Sequence, residues 1–364
     1  MPKLMKAALI LAIVVFAVIT LLVFSRIVVA LVYGSAVIAD GAKTLIDDIS
    51  EERAEIQSLS DEETVYYPQN ICGNNYNNIS ANSNVDWIES ESSYYCKQGN
   101  KSYVYQLQKN GEKLLFSHEY CDNIQVYGKN LYFQDGSSIF KYGLKESEKE
   151  KVVTFQNLTI DYYYLLDDYV YIKLHDNESF ISSLKAVSLK DGKIFHIEDN
   201  VFSIGVIDAS PVYITYNEEK ISLYRIDSKN MAPVMLGEFG LEIEDSEVLK
   251  TAVNYTSEYI IMLSCDSENS SSRLIMCNIQ NDTVKIHQFE NQIYTPIAFD
   301  KVVFFGSIND YDESNSVLCR YSTESGEVTV INQFDGYIDL AVYSDSEVYI
   351  QSNVFNGIRK YSVN

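Results

Sequence analysis

The chain has 364 residues, 46% of them hydrophobic and 13% aromatic, so a large core is available and a disordered chain is excluded. Fifty-one Asp and Glu face 28 Lys and Arg, a formal charge of −23. Such a surface repels nucleic acid, anionic lipid and anionic wall polymers, so a nucleic-acid partner is excluded.

The N-terminus opens with Lys3 and Lys6, followed by "AALILAIVVFAVITLLVFS" at 7–25, a charge-free run long enough to cross a bilayer as a helix. A second apolar run continues past Arg26 to residue 39. This pattern predicts a cytoplasmic tail at 1–6, a transmembrane signal-anchor at 7–33 and everything beyond it outside the cell. The alternative is a cleaved signal ending at "VIA" before Asp40. After residue 39 the chain holds 25 basic and 51 acidic residues, a net −26.

Residues 34–62 read as a helical juxtamembrane stalk. Ala42, Leu45, Ile49, Glu52, Ile56 and Leu59 fall at heptad spacing, with Glu52 breaking the seam. A homo-oligomer through 42–59 is one reading, and a solvated acidic spacer is the other.

From residue 63 onward helical periodicity gives way to apolar runs of five to eight residues between Asp, Asn, Gly and Ser clusters. A strand–turn–strand unit recurs at 102–118, 138–156, 184–199, 222–240, 274–290 and 317–335. Its turns carry hairpin residues such as Asn110–Gly111, Asp191–Gly192 and Ser325–Gly326. Two further strands precede each unit, for example "NIQVYG" (123–128) and "NLYFQD" (130–135). Four strands repeating every 36–52 residues predict an all-β fold, a β-propeller of seven four-stranded blades over 63–364, or six or eight if a unit is misread. The last unit, ending "GIRKYSVN", has only three strands, and "ETVYYPQ" (63–69) is the candidate to supply its fourth and close the ring.

The strand wording in "NLYFQDGSSIFKY" (130–142), "PVYITYNEEKISLYRI" (211–226) and "EVYIQSNVFNGIRKY" (347–361) resembles the low-density-lipoprotein-receptor-related, YWTD-like β-propeller domain of unknown function found in bacterial surface proteins. The resemblance covers roughly 64–364 and implies the fold and an exported location, with no activity attached. No blade carries the Trp of "YWTD" on its second strand.

Chemistry is sparse. The four histidines, His118, His175, His196 and His287, show no metal-ligand spacing. Asp310, Asp312 and Ser314 form the first half of a calcium-loop pattern without its Gly and closing Glu, which leaves calcium as the one cofactor candidate, against a plain acidic loop. Cys265 and Cys277, on two arms of a predicted hairpin, are the disulfide candidate, against cysteines that merely fill strand positions. Tyr94, Tyr95, Tyr162 and Tyr311 are candidates for stacking on sugars, and pairs such as Asp167–Asp168 read as turn residues. No catalytic motif is recognised. The function expected is a membrane-anchored binding module for a protein, peptide or glycan at the cell surface. The alternatives are a surface hydrolase or lyase acting on polysaccharide or peptide, and a self-associating envelope scaffold.

Overall fold

The computed structural model describes residues 75, 77, 87–88, 92–97, 100–108, 111–217, 219–241, 243, 246–266, 271–308, 315–352 and 358–363. The predicted membrane segment, the stalk and the closing strand at 63–69 lie outside the described residues.

Seven antiparallel sheets follow one another along the chain, at 87–118, 122–154, 158–199, 201–240, 247–289, 293–335 and 338–362. They are blades 1 to 7 of a β-propeller. Within a blade the strands pair in chain order, and blade 7 has three strands among the described residues. In blades 2 to 6 the second strand lies inside its sheet, buried along its middle, and reads as a mostly apolar run, as in Tyr259–Asp266, "YIIMLSCD". Fourth strands are mostly exposed, as in Lys149–Thr154.

The core lies between blades. Along blade 5, Ile260 and Met262 pack with Ile214 and Leu223 of blade 4. The intervening Ile261 and Leu263 pack with Val303 and Phe305 of blade 6. Period-two alternation thus gives one sheet face to each neighbour, and each buried Ile or Leu contributes about 1.5–3 kcal/mol.

A second system of contacts joins the first strands. Each of these is paired on one edge only, so its free edge carries backbone groups that need partners. Polar side chains from the neighbouring blade supply them. From blade 2, Gln125 donates to Tyr163 O and accepts from Leu165 N at 3.2 Å, while Tyr163 returns its hydroxyl to Asn123 O at 2.7 Å. From blade 3, the Tyr162 hydroxyl meets Ser203 Oγ at 2.8 Å and accepts from Ile204 N at 3.1 Å in blade 4. From blade 5, Asn254 donates to Pro296 O at 2.7 Å and accepts from Ala298 N at 2.9 Å in blade 6. The blade 4–blade 5 junction uses shape. A Cβ added at Gly205 would lie 2.1 Å from the Tyr255 ring, so only glycine lets that buried aromatic in.

Asn77, in a helical segment preceding the ring, makes a further tie. Its amide donates to Tyr255 O at 3.1 Å and Ala298 O at 3.0 Å and accepts from Tyr255 N at 2.9 Å, joining blades 5 and 6.

The candidate disulfide is not formed. Cys265 lies opposite Ser272 and Cys277 opposite Ile260, five ladder positions apart, and both thiols are free. Five positions along a strand is about 17 Å, far beyond the reach of a disulfide. The hairpin was placed correctly, but its register sets the cysteines at opposite ends.

Replacing Asn254 by Leu leaves Pro296 O and Ala298 N buried without partners. The expected loss is about 2–4 kcal/mol of unfolding free energy, read from urea denaturation at unchanged circular dichroism.

Candidate functional site

In a four-stranded meander the turn between strands two and three falls at the same end as the crossing to the next blade. One face of the propeller therefore gathers both sets of loops. The large apolar side chains exposed on it include Tyr120 at 45%, Phe180 at 78%, Ile181 at 44% and Tyr337 at 40%.

Phe180 is the most exposed of these, and its placement is built. The turn at 177–181 in blade 3 is held by Asp176, whose carboxylate accepts from Glu178 N at 2.9 Å and Ser179 N at 3.3 Å. Phe180 N donates to Asp176 O at 2.8 Å and Asp176 N to Ile181 O at 3.0 Å. The turn puts Phe180 at φ 58, a left-handed conformation costly for a bulky residue, with its ring toward solvent. The amide of Glu178 and then the groups of Ser179 hold the Asp176 carboxyl below the usual carboxylate range.

On the same face blade 5 opens into a recess of about 530 Å³ lined by Glu247, Asp266, Ser271, Arg273, Gln288 and Glu290. Its origin is a broken inner strand. Glu247–Leu249 pairs with the far end of Tyr259–Asp266, whereas Asn254–Tyr255 pairs near its start. Arg273 Nη1 lies 2.6 Å from Glu247 Oε2, and the Glu247 side chain is 5% exposed. Three carboxylates against one guanidinium leave the recess acidic, with Ile286 as the one apolar residue in its described lining.

Each histidine has a carboxylate or an aromatic ring nearby. His118 Nε2 lies 2.9 Å from Asp135 Oδ2, bridging blades 1 and 2, with its ring 5.0 Å from those of Phe133 and Phe140. His287 lies 4.7 Å from Phe289 and 4.9 Å from Tyr321, and burial, then Lys285, lowers its basicity. His196 pairs with Asp199 at 3.6 Å in solvent, and His175 meets the Phe180 ring edge-on at 6.2 Å.

Asp310, Asp312 and Ser314 lie outside the described residues, as does Tyr311. Among the described residues no group of three His, Cys, Asp or Glu side chains is placed to hold a metal ion. Tyr94 and Tyr162 are 2% and 8% exposed and belong to the core, so the stacking role fails for them. Asp167 and Asp168 form a strand turn at φ 51 and 62, as their doublet suggested. The recess was missed because its carboxylates are scattered over 44 positions (247–290) of an acidic chain. Phe180 was missed because a lone Phe among polar residues gives no periodic signal.

No protein-family model and no curated protein sequence matches the chain. Solved structures do match in fold. An oligogalacturonate lyase in complex with manganese superposes with a TM-score of 0.55 at 10% identity, over 82% of this chain and 89% of that one. The N-terminal domain of Nup159 gives 0.52 at 12% identity, over 79% and 95%. An oligogalacturonate lyase from Vibrio parahaemolyticus gives 0.51 at 8% identity, over 81% and 89%. At these identities the likeness is one of fold alone.

Arg273→Leu removes the guanidinium paired with the nearly buried Glu247 carboxylate and is expected to cost about 3–5 kcal/mol, whereas Glu247→Leu/Arg273→Leu together cost clearly less than the two single changes summed. A denaturation double-mutant cycle measures both. Because its folded pKa is depressed, Asp176 holds its turn fully above the ordinary carboxylate pKa and releases it as pH falls through the lower folded value. The Glu178 amide resonance should therefore titrate below about pH 4.

Proposed function

We propose that the chain is a membrane-anchored, extracytoplasmic binding module whose loop face captures a protein or peptide carrying a basic side chain beside an apolar one. The observation that carries this reading is the built display of Phe180: a strained, carboxylate-held turn presents an aromatic ring to solvent on a rigid ring of blades. The acidic recess on the same face supplies the charge that a Lys or Arg would seek. The apolar N-terminal run supports the anchor, the acidic stretch at 40–62 supports a spacer that gives reach, and the resemblance to bacterial surface propellers agrees with both.

The lyase reading rests on fold likeness alone. It would need acidic or His side chains converging from first strands. The described first strands are mostly apolar, and Asp161, on that of blade 3, is ion-paired to Lys173 at 2.8 Å.

The test uses the full chain in detergent micelles, titrated with basic–aromatic peptides, their acidic counterparts and neutral oligosaccharides. Binding to the basic peptides is expected, weakening with salt and falling about tenfold in Phe180→Ser. Equal binding of the acidic peptides, or binding of oligosaccharide alone, sinks the reading.

A further inference from the structure

We propose that His118 is a proton-controlled junction between blades 1 and 2, which gives up one of its two charged partners when the imidazole takes up a proton. His118 closes the outer strand of blade 1, Gly111–His118, and Asp135 closes the second strand of blade 2, Asn130–Asp135. Asp135 Oδ2 lies 2.9 Å from His118 Nε2. On the other side of the ring, Lys149 Nζ lies 3.3 Å from Nδ1 and 3.3 Å from Ser117 O. The imidazole stands 5.0 Å from the Phe133 and Phe140 rings, so packing sets its position as well as its bonds.

These partners fix which nitrogen carries the proton. An ammonium only donates and a carboxylate only accepts. Lys149 therefore requires a bare Nδ1, and Asp135 requires an N–H at Nε2. Both bonds are made together only by the neutral ring with its proton on Nε2. A second proton, on Nδ1, sets a donor and a positive charge against Lys149 at 3.3 Å, while it turns the Asp135 contact into an ion pair.

Lys149 is the partner that leaves. It stands at the exposed start of Lys149–Thr154, where water can take up its ammonium. The His118 and Asp135 side chains are only 16% and 32% exposed, so their attraction is screened less. Among the described residues, Asp135 and Lys149 are the charged groups bonded to the ring. Ladder pairing puts Lys151 on the same face of blade 2 as Phe140, with its ammonium 5.4 Å from that ring. In the crossing beyond His118, Glu119 is exposed and Asp122 accepts from Tyr120 Oη at 3.2 Å.

The junction borders the loop face. His118 leads into the crossing that carries the exposed Tyr120, and Asp135 leads into the turn at Gly136. Histidine is the side chain that changes charge between about pH 5 and 8. Proton uptake there trades the chain Lys149–His118–Asp135 for a His118–Asp135 ion pair and a released ammonium, and adds one positive charge beside these loops. The exchange does not depend on what the loop face binds.

The test labels the histidines of the full chain with nitrogen-15, in detergent micelles, and follows the imidazole resonances from about pH 8 to 5. His118→Gln identifies the His118 signals by their loss. At the upper end the His118 proton is expected on Nε2 alone. Lys149→Met should make the ring bind its second proton about threefold more tightly, and Asp135→Asn about tenfold more weakly. Lys149 is exposed, so its replacement leaves the core intact, and unchanged circular dichroism checks both variants. A proton on Nδ1 at the upper end overturns the proposal, as does a proton affinity that Lys149→Met leaves unchanged or lowers. An effect of Asp135→Asn alone reduces His118 to a plain inter-blade bridge and overturns the exchange.

Discussion

A propeller's inner strands are each bonded to a neighbour on one side and face the channel on the other. Everything else in this ring depends on how those free backbone edges are satisfied. Here the answer is side chains reaching across from the adjacent blade. Gln125 serves both a carbonyl and an amide of blade 3, and Asn254 does the same for blade 6. A carboxamide suits this task because it carries one donor and one acceptor arm at the spacing of a peptide group. Each tie also fixes the angle between blades, since both bonds must be made at once. The apolar faces then meet in register and the inter-blade cores close.

That lacing bears on function through rigidity. Tyr255 inserted against Gly205 and Asn77 bonded to Tyr255 and Ala298 leave the inner ring little room to shift between blades 4, 5 and 6. The loop face stands on this frame, so a strained turn such as that carrying Phe180 persists because its surroundings hold it. The recess on blade 5 has a related origin. By breaking its inner strand, that blade interrupts the ladder between Leu249 and Asn254 and places Glu247 opposite Asp266. The Arg273–Glu247 pair then holds the detached piece against the sheet.

The blades were legible because most repeat the same two signals, a second strand apolar along its middle and a polar hairpin turn after the third. "NLYFQD" and "VVFFGSI" announce buried strands whatever surrounds them. Register was not legible. Cys265 and Cys277 lie on paired strands, yet which residues face each other is decided by turn geometry that the spacing alone does not specify. The lacing was not legible either, since an Asn or Gln near a strand end has the composition of a turn. Tyr94 and Tyr162 show the converse problem. A tyrosine with a buried ring and a bonded hydroxyl has the same letter as one on a loop, and only the partner, Gln106 or Ser203, tells them apart.

The charge distribution joins these points. The side chains that fill the inter-blade spaces are almost wholly uncharged, so the net charge of −23 resides at the surface and in the segments flanking the ring. A uniform acidic surface discriminates weakly by itself, because salt screens it within about 8–10 Å. A recess that gathers three carboxylates around one guanidinium, itself paired with Glu247, concentrates negative charge at short range. The recess and the exposed Phe180 ring thus stand apart from the rest of the acidic surface, the one by concave shape and clustered charge, the other by an apolar ring held in a fixed turn.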